Sequence, residues 1–100
     1  QGISKRVANI MLQEDVTKVQ TALSKRDLLS GHNEARQAAL VDMGFQMGVS
    51  GLLGFKRMLI AWRAKNYDQA AQEALDSAWA RQTPERAQEI AQIIKTGEWV

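Results

Sequence analysis

The chain has 100 residues, which is the length of one domain and leaves no room for a second. Its composition, 45% apolar and 24% charged, is that of a globular protein and argues against a disordered, collagen-like or low-complexity chain. There is no cysteine and one histidine, His32, which excludes a disulfide framework and a thiolate zinc site, so we expect no metal and no cofactor. The 13 Lys and Arg residues against 11 Asp and Glu give a net charge of +2 without a basic block, so nucleic acid is not an expected partner.

The sequence also lacks the patterns of a membrane or exported protein. No apolar run approaches the roughly 20 residues that span a bilayer, and no signal peptide is visible, so no membrane partner is expected. The chain begins at Gln1 instead of methionine and stops abruptly after Trp99 and Val100. Both ends look cut, and we expect these residues to be part of a longer protein.

A single proline, together with abundant Ala, Gln, Leu and Lys, favours an all-α protein, and we expect a compact bundle of five to six helices. The first predicted helix covers residues 4–24 and begins at the cap residue Ser4. Because such a helix is ~30 Å long at about 1.5 Å per residue, it is typical of a helix that joins two lobes. We therefore divide the chain into a long interdomain helix, 1–24, and a helical lobe, 25–100. The apolar residues of the first helix recur at three- and four-residue steps: Val7, Ile10, Met11, Val16, Val19 and Leu23.

The second predicted helix covers about 34–48, with Asn33 as its cap, and is apolar on most sides, which indicates the central buried helix. Gly44 inside it costs about 1 kcal/mol relative to alanine, so it predicts the close approach of another element or of a ligand. Gln46 is an amide within this apolar helix, and burying it unpaired would cost roughly 1–3 kcal/mol. Either it hydrogen-bonds inside the protein, or it faces a cleft and binds a polar ligand such as a sugar.

Residues 49–54 are predicted to form a turn or a single helical turn, followed by helices over Phe55–Lys65 and about 69–80, the second of which starts at Asp68. The last helix is predicted to run from Pro84 to about Thr96. We expect Thr83 to be its N-cap and Gly97 to end it. The core is expected around Met43, Phe45, Met47, Phe55, Trp62 and Trp79.

Local clusters of charged residues give no strong sign of chemistry. His32 lies in a predicted loop without converging partners, and we interpret it as a surface residue. Three acidic pairs lie on exposed-looking helix faces, where no single acid is isolated in the apolar pocket that a raised pKa requires: Glu14–Asp15, Glu73–Asp76 and Glu85–Glu89. Three basic pairs are scattered and lack interleaved aromatic residues: Lys5–Arg6, Lys25–Arg26 and Lys56–Arg57.

The order and spacing of several motifs are more informative. Residues 39–48 read Ala-Leu-Val-Asp-Met-Gly-Phe-Gln-Met-Gly, and this segment resembles the "ALxNMxFQMG" helix of the phage T4-type lysozymes. The resemblance covers essentially all 100 residues. Further stretches follow in register with that family: Gly51-x-x-Gly54-Phe55, Tyr67-Asp68-Gln69-Ala70-Ala71, Ser77-x-Trp79-x-x-Gln82-Thr83-Pro84-x-Arg86-Ala87 and Thr96-Gly97-x-Trp99.

The resemblance implies a muramidase of two lobes joined by the long helix, which cleaves the β-1,4 bond between N-acetylmuramic acid and N-acetylglucosamine in peptidoglycan. In that family the catalytic glutamate lies in the N-terminal lobe, in an "E-G-x-x-x-x-x-Y-x-D" stretch that this chain does not contain. We therefore expect no catalytic residue in this chain, and no hydrolysis by the chain alone. The implied partners are a peptidoglycan glycan strand and an N-terminal catalytic lobe, in cis or in trans.

The resemblance also assigns roles to individual residues. Phe45 and Gln46 match positions that contact the saccharide, Arg86 matches the arginine that supports the catalytic acid, and Trp79 matches a tryptophan packed under the cleft. Two further substrate-binding positions depart from the T4 pattern: Met58 replaces a serine and Glu73 replaces an asparagine.

Two other functions remain open at this stage. The chain could be a naturally truncated, non-catalytic lobe that binds peptidoglycan or forms part of a phage particle, or it could be a helical protein–protein adaptor. A lysozyme of this kind would act as an endolysin, which stays in the host cytoplasm before release to the periplasm and cell wall, or would be carried in the phage particle.

Overall fold

The computed structural model describes residues 13–99, which form six helices and no strand and so confirm the all-α fold. The helices are α1 (Gln13–Lys25), α2 (Glu34–Leu53), α3 (Lys56–Arg63), α4 (Tyr67–Leu75), α5 (Ala78–Gln82) and α6 (Pro84–Thr96). The predicted Ser4 cap and the start of the first helix lie outside the described residues. The division of the chain after residue 24 stays a prediction.

Helix α2 is the central element of the bundle, as its apolar sequence predicts. It packs against α1 and α6, while α4 joins α3 to α6 on the far side. Asn33 is its N-cap, since the Asn33 side chain accepts a hydrogen bond of 2.9 Å from the backbone N–H of Arg36. Residues buried along α2 are Ala35, Ala39, Leu40, Val41, Met43, Gly44 and Leu52.

Helix α2 is interrupted at Gly48, where the sequence predicts its end. Gly48 adopts the non-helical angles φ 82° and ψ 154°, and the bend there joins the predicted helix to a short helical segment that ends at Leu53, where the sequence allows a single helical turn. A glycine tolerates this positive φ without a Cβ clash, so the chain changes direction at this residue. Within residues 13–99 no single helix is long and apolar enough to cross a bilayer; only α2 and α3 taken together, at an angle of 104°, have the necessary length and composition.

The helix predicted over 69–80 is two helices. Asn66, not Asp68, is the cap of α4, because its side chain accepts from the backbone N–H of Gln69. The break after Leu75 is fixed by Ser77, whose hydroxyl donates to the carbonyl of Ala74 and accepts from the backbone N–H of Ala80. One serine thus ends one helix and begins the next.

The start of α6 differs from the prediction in one detail. Pro84 occupies the first turn as expected, but the Thr83 hydroxyl donates to the Trp79 carbonyl at 3.1 Å and makes no capping hydrogen bond. The same threonine therefore connects α5 to α6. Gly97 ends α6 with φ 74°, which confirms the predicted C-terminal stop.

Of the six residues that the sequence predicts for the core, two are fully buried. Met43 and Trp62 are inaccessible to solvent, and the Trp62 indole N–H donates to the Leu28 carbonyl at 2.6 Å. Mostly small and aliphatic residues of α1, α2, α3, α4 and α6, and of the loop after α1, supply the remaining interior. The other four predicted core residues are only partly buried and pack against the edge of the core: Phe45, Met47, Phe55 and Trp79.

Gly44 confirms the predicted close approach, which is made by α1. A Cβ built on Gly44 would lie 2.8 Å from Val19 Cγ1 and 3.4 Å from Leu52 Cδ2. We expect Gly44→Ala to lower the free energy of unfolding by about 1 kcal/mol, because overpacking costs about 1–3 kcal/mol and the gain in helix propensity offsets about 1 kcal/mol.

Urea unfolding measures this effect, with Gly51→Ala as the control. A Cβ at Gly51 would lie 3.3 Å from Met47 Cβ and Cγ, a milder conflict than the 2.8 Å contact at Gly44. The control should therefore lower stability less than Gly44→Ala does. Equal stability of the two variants would contradict the assigned α1–α2 contact.

Candidate functional site

A polar network joins α2, α5 and α6 at one edge of the core. The Asp42 carboxylate accepts from Arg86 Nη1 through Oδ2 at 3.1 Å and from Gln46 Nε2 through Oδ1 at 3.2 Å. The Gln46 carbonyl oxygen in turn accepts from the Trp79 indole N–H at 3.2 Å. Four side chains from three helices are thus connected in one line, and we call them the edge network.

An open groove lies beside the edge network and has a volume of about 400 Å³. The Phe55 ring stands edge-to-face against Trp79, with 6.4 Å between centroids, and so connects the groove to the network. Aromatic faces beside amide and carboxylate groups are suited to a ligand that is apolar on its faces and polar at its rim. The groove is lined by Gly54, Phe55, Lys56, Arg57, Met58, Glu73, Asp76 and Ser77.

The structure brings five of the six candidate residues from the sequence to this face. Gln46, Trp79 and Arg86 belong to the edge network, whereas Met58 and Glu73 line the groove. Phe45 is partly buried and packs against the core edge.

The two candidate substrate-binding residues that depart from the family pattern differ in accessibility. Met58 is 1% exposed, so it packs beneath the groove, and a thioether provides at most a weak acceptor. Glu73 is partly exposed, and its carboxylate accepts from Gln69 Nε2 at 2.8 Å. Glu73 is thus the better placed of the two to meet a polar ligand.

Gln46 combines the two alternatives left by the sequence, because it makes hydrogen bonds within the protein and is also exposed at the surface. Its side chain is exposed at the core edge, and both ends of its amide are paired with other side chains. Asp42, which is central to the edge network, is not among the candidate residues predicted from the sequence. The signal was present, because residues at i and i+4 share one helix face and Asp42 is four residues before Gln46.

No protein-family model matches the chain. The pre-baseplate central spike protein Gp5 of Enterobacteria phage T4 is 33% identical over 100 residues, which is 96% of this chain. A probable T4-type lysozyme 1 of Dictyostelium discoideum is 29% identical over 99 residues, which is 95% of this chain, and a probable T4-type lysozyme 2 of the same organism is 29% identical over 82 residues, which is 82% of this chain.

The chain is a homologue of the T4-type lysozymes. The helical bundle is similar to the C-terminal lobe of that family, as the motifs in the sequence imply. The chain spans 58% and 48% of the two Dictyostelium lysozymes and 17% of the spike protein.

The ion pair between Arg86 and Asp42 contributes little to the stability of this lysozyme-like lobe. The Arg86 and Asp42 side chains are 39% and 37% exposed, so solvent screens their attraction. Pairs of this kind contribute about 0–1 kcal/mol to folding. The edge network therefore orients side chains at the surface more than it holds the lobe together.

The interpretation of His32 as a surface residue is wrong. His32 is 8% exposed, its ring stacks on Trp62 with 4.2 Å between centroids, and Nδ1 shares a 2.6 Å hydrogen bond with the Tyr67 hydroxyl. Its backbone carbonyl accepts from Gln37 Nε2 at 2.6 Å. The loop between α1 and α2 is thereby fixed to α3 and α4, so His32 has a structural role away from the edge network.

Burial lowers the pKa of His32 below its ordinary value of 6.5, and the nearby charges of Lys65 and Arg36 lower it further. As the pH falls, the folded protein therefore keeps the His32 ring neutral to a lower pH than the unfolded chain does. Below about pH 6.5 the unfolded state binds more protons, so the free energy of unfolding should fall as the pH decreases.

Urea unfolding between about pH 7.5 and about pH 5.5 measures this slope. His32 is the only histidine of the chain, and histidine is the side chain whose ordinary pKa lies in this range. His32→Gln should be less stable at neutral pH and should show a flatter dependence. An unchanged slope in His32→Gln would show that another group is responsible.

Proposed function

We propose that this chain is the substrate-side lobe of a peptidoglycan-degrading muramidase, which hydrolyses β-1,4 bonds between N-acetylmuramic acid and N-acetylglucosamine. The observation that carries the proposal is the Gln46 amide, held at the surface between Asp42 and Trp79 beside the groove. The homology to T4-type lysozymes supports it.

The surface chemistry suits an acetylated glycan strand. An amide side chain has two N–H donors and a carbonyl acceptor, so Gln46 can exchange hydrogen bonds with the hydroxyl and acetamido groups of a sugar. The Phe55 and Trp79 rings provide apolar surface next to it. Phe45 and Glu73 are further candidate contacts along the strand, and Met58 supports the groove from below.

Arg86 is assigned to the support of a general acid. A guanidinium beside a carboxylic acid fixes its orientation and lowers its pKa unless burial offsets the effect. We assign that acid to an N-terminal catalytic lobe, joined to this one in cis or in trans. The long helix that the sequence predicts over residues 4–24 would connect the two lobes.

The acids near the site do not offer the environment that the reaction needs. Glycoside hydrolysis requires a carboxylic acid whose apolar surroundings keep it protonated, opposite a second carboxylate. Asp42, Glu73 and Asp76 are all at least partly exposed to solvent. We therefore infer that this chain by itself does not hydrolyse peptidoglycan.

A phage particle is the second candidate setting. The T4 relative is a spike protein of the pre-baseplate, which favours a lysozyme module carried in a phage structure over a free endolysin of the host cytoplasm. In both settings the lobe would bind the same glycan strand.

Saccharide binding tests the proposal directly. We expect the chain to bind tri-N-acetylchitotriose, with NMR shifts around Gln46 and the Trp79 indole. Gln46→Ala should weaken binding about five-fold, since a hydrogen bond to a neutral partner contributes about 1 kcal/mol.

The matched control is Gln92→Ala, which removes an exposed amide from the middle of α6. It should bind as the unaltered chain does. The proposal fails if the unaltered chain does not bind the saccharide, or if both variants weaken binding equally.

Activity provides a second test. The chain alone should not clear a suspension of bacterial cell walls, while the same chain joined to an N-terminal lobe of a T4-type lysozyme should do so. Arg86→Ala in the joined protein should reduce turnover far more than it weakens saccharide binding, because we assign Arg86 to the acid and it reaches the sugar only indirectly, through Asp42. Turnover by the isolated chain would contradict the placement of the general acid in another lobe.

A further inference from the structure

We propose that Asp42 is a positioning residue for saccharide binding, which fixes the orientation of the Gln46 amide; this inference rests on the proposed function. Asp42 occupies the position where the "ALxNMxFQMG" motif has asparagine. An aspartate there carries a full charge and has two equivalent acceptor oxygens, whereas an asparagine has one acceptor oxygen and one donor group. The geometry of this chain uses both oxygens.

The two oxygens of Asp42 serve different helices. Oδ2 accepts from Arg86 on α6, and Oδ1 accepts from Gln46 on α2. Arg86 thus fixes the rotation of the carboxylate, and the fixed carboxylate presents its second oxygen to Gln46. An asparagine has one acceptor oxygen, and its N–H₂ group would face either Arg86 or Gln46. Because both of these groups donate here, an asparagine could not accept from both in this geometry.

The partners of Gln46 determine which way its amide faces. A carboxylate only accepts and an indole N–H only donates, so the Gln46 nitrogen must face Asp42 and its carbonyl oxygen must face Trp79. The amide retains a second N–H and a second lone pair for a ligand. Because glutamine otherwise loses side-chain freedom on binding, this prior ordering increases affinity without an added contact.

The exposure of the pair separates this role from a structural one. Arg86 and Asp42 are 39% and 37% exposed, and screened pairs of this kind have little effect on folding. An Asp42 variant should therefore remain folded while its saccharide binding changes.

A double-mutant cycle tests the inference on the full chain. Asp42→Ala should weaken binding of tri-N-acetylchitotriose about three-fold in the unaltered background, a modest change because the amide can still adopt the bound orientation. In the Gln46→Ala background the same change should have no further effect, because no amide remains to be oriented. Additive effects in the cycle, or an unchanged affinity in Asp42→Ala, would overturn the inference.

Glu89→Gln is the matched control, since it also removes one negative charge from an exposed position, on α6. It should keep the affinity of the unaltered chain. A loss equal to that of Asp42→Ala would show that net charge, and not position, is responsible, and would overturn the inference.

NMR of the side chains separates failure of this inference from failure of the proposed function. Asp42→Ala should shift the Gln46 side-chain amide and Trp79 indole signals while leaving those of the Trp62 indole in place. If these signals move but no variant, nor the unaltered chain, binds the saccharide, the proposed function fails and the positioning role in binding fails with it. If the saccharide binds but the Gln46 signals are unchanged in Asp42→Ala, the inference alone is overturned.

Discussion

Helix α2 is covered by α1 on one side and by α6 on another, and this burial sets the position of most other parts of the structure. At Gly44 of this helix there is no room for a side chain, because Val19 of α1 occupies the space. Its N-terminal turn holds the end of α6, where Arg36 donates to the carbonyls of Ile94 and Lys95. The helix has one polar edge left, and the edge network lies there.

The position of this edge explains why partly buried aromatic residues and polar groups occur together. Phe55 and Trp79 pack against the core on one side and border the groove on the other. Such residues look like core residues in a sequence, because their spacing follows the same helical period. At a surface that binds sugars, the same rings provide the apolar component and the amide beside them provides the polar one.

The sequence predicted features that depend on local chemistry. The caps at Asn33 and Gly97 and the close approach at Gly44 follow from properties of one residue and its neighbours. The break at Ser77 was missed, since the helical pattern of the sequence continues across it. The resemblance to lysozymes named five residues that lie in the edge network or line the groove, because the order of motifs along the chain carries more information than the charge of any single residue.

Contacts between distant parts of the chain could not be predicted from the sequence pattern. The pairing of Asp42 with Arg86 spans 44 positions, and the hydrogen bond between His32 and Tyr67 spans 35. Both depend on where helices meet in space, so the burial of His32 and the central position of Asp42 became clear only from the structure. Periodicity places a residue on a helix face, but it does not say which other helix that face will meet.

Helices α2 and α6 run antiparallel and are joined by side chains near both ends of α6, and this has a consequence for the order of folding. Asn33 donates to the carbonyl of Gly97, 64 positions away, and Asp42 joins Arg86 at the other end of α6. Individual helices can form from local contacts, whereas these links require closure of a long loop, which carries an entropic penalty before any contact stabilises it. The Arg86 link of the edge network therefore forms only when α6 docks on α2, so a chain with all its helices but without this contact would leave the Asp42 carboxylate without its partner on α6.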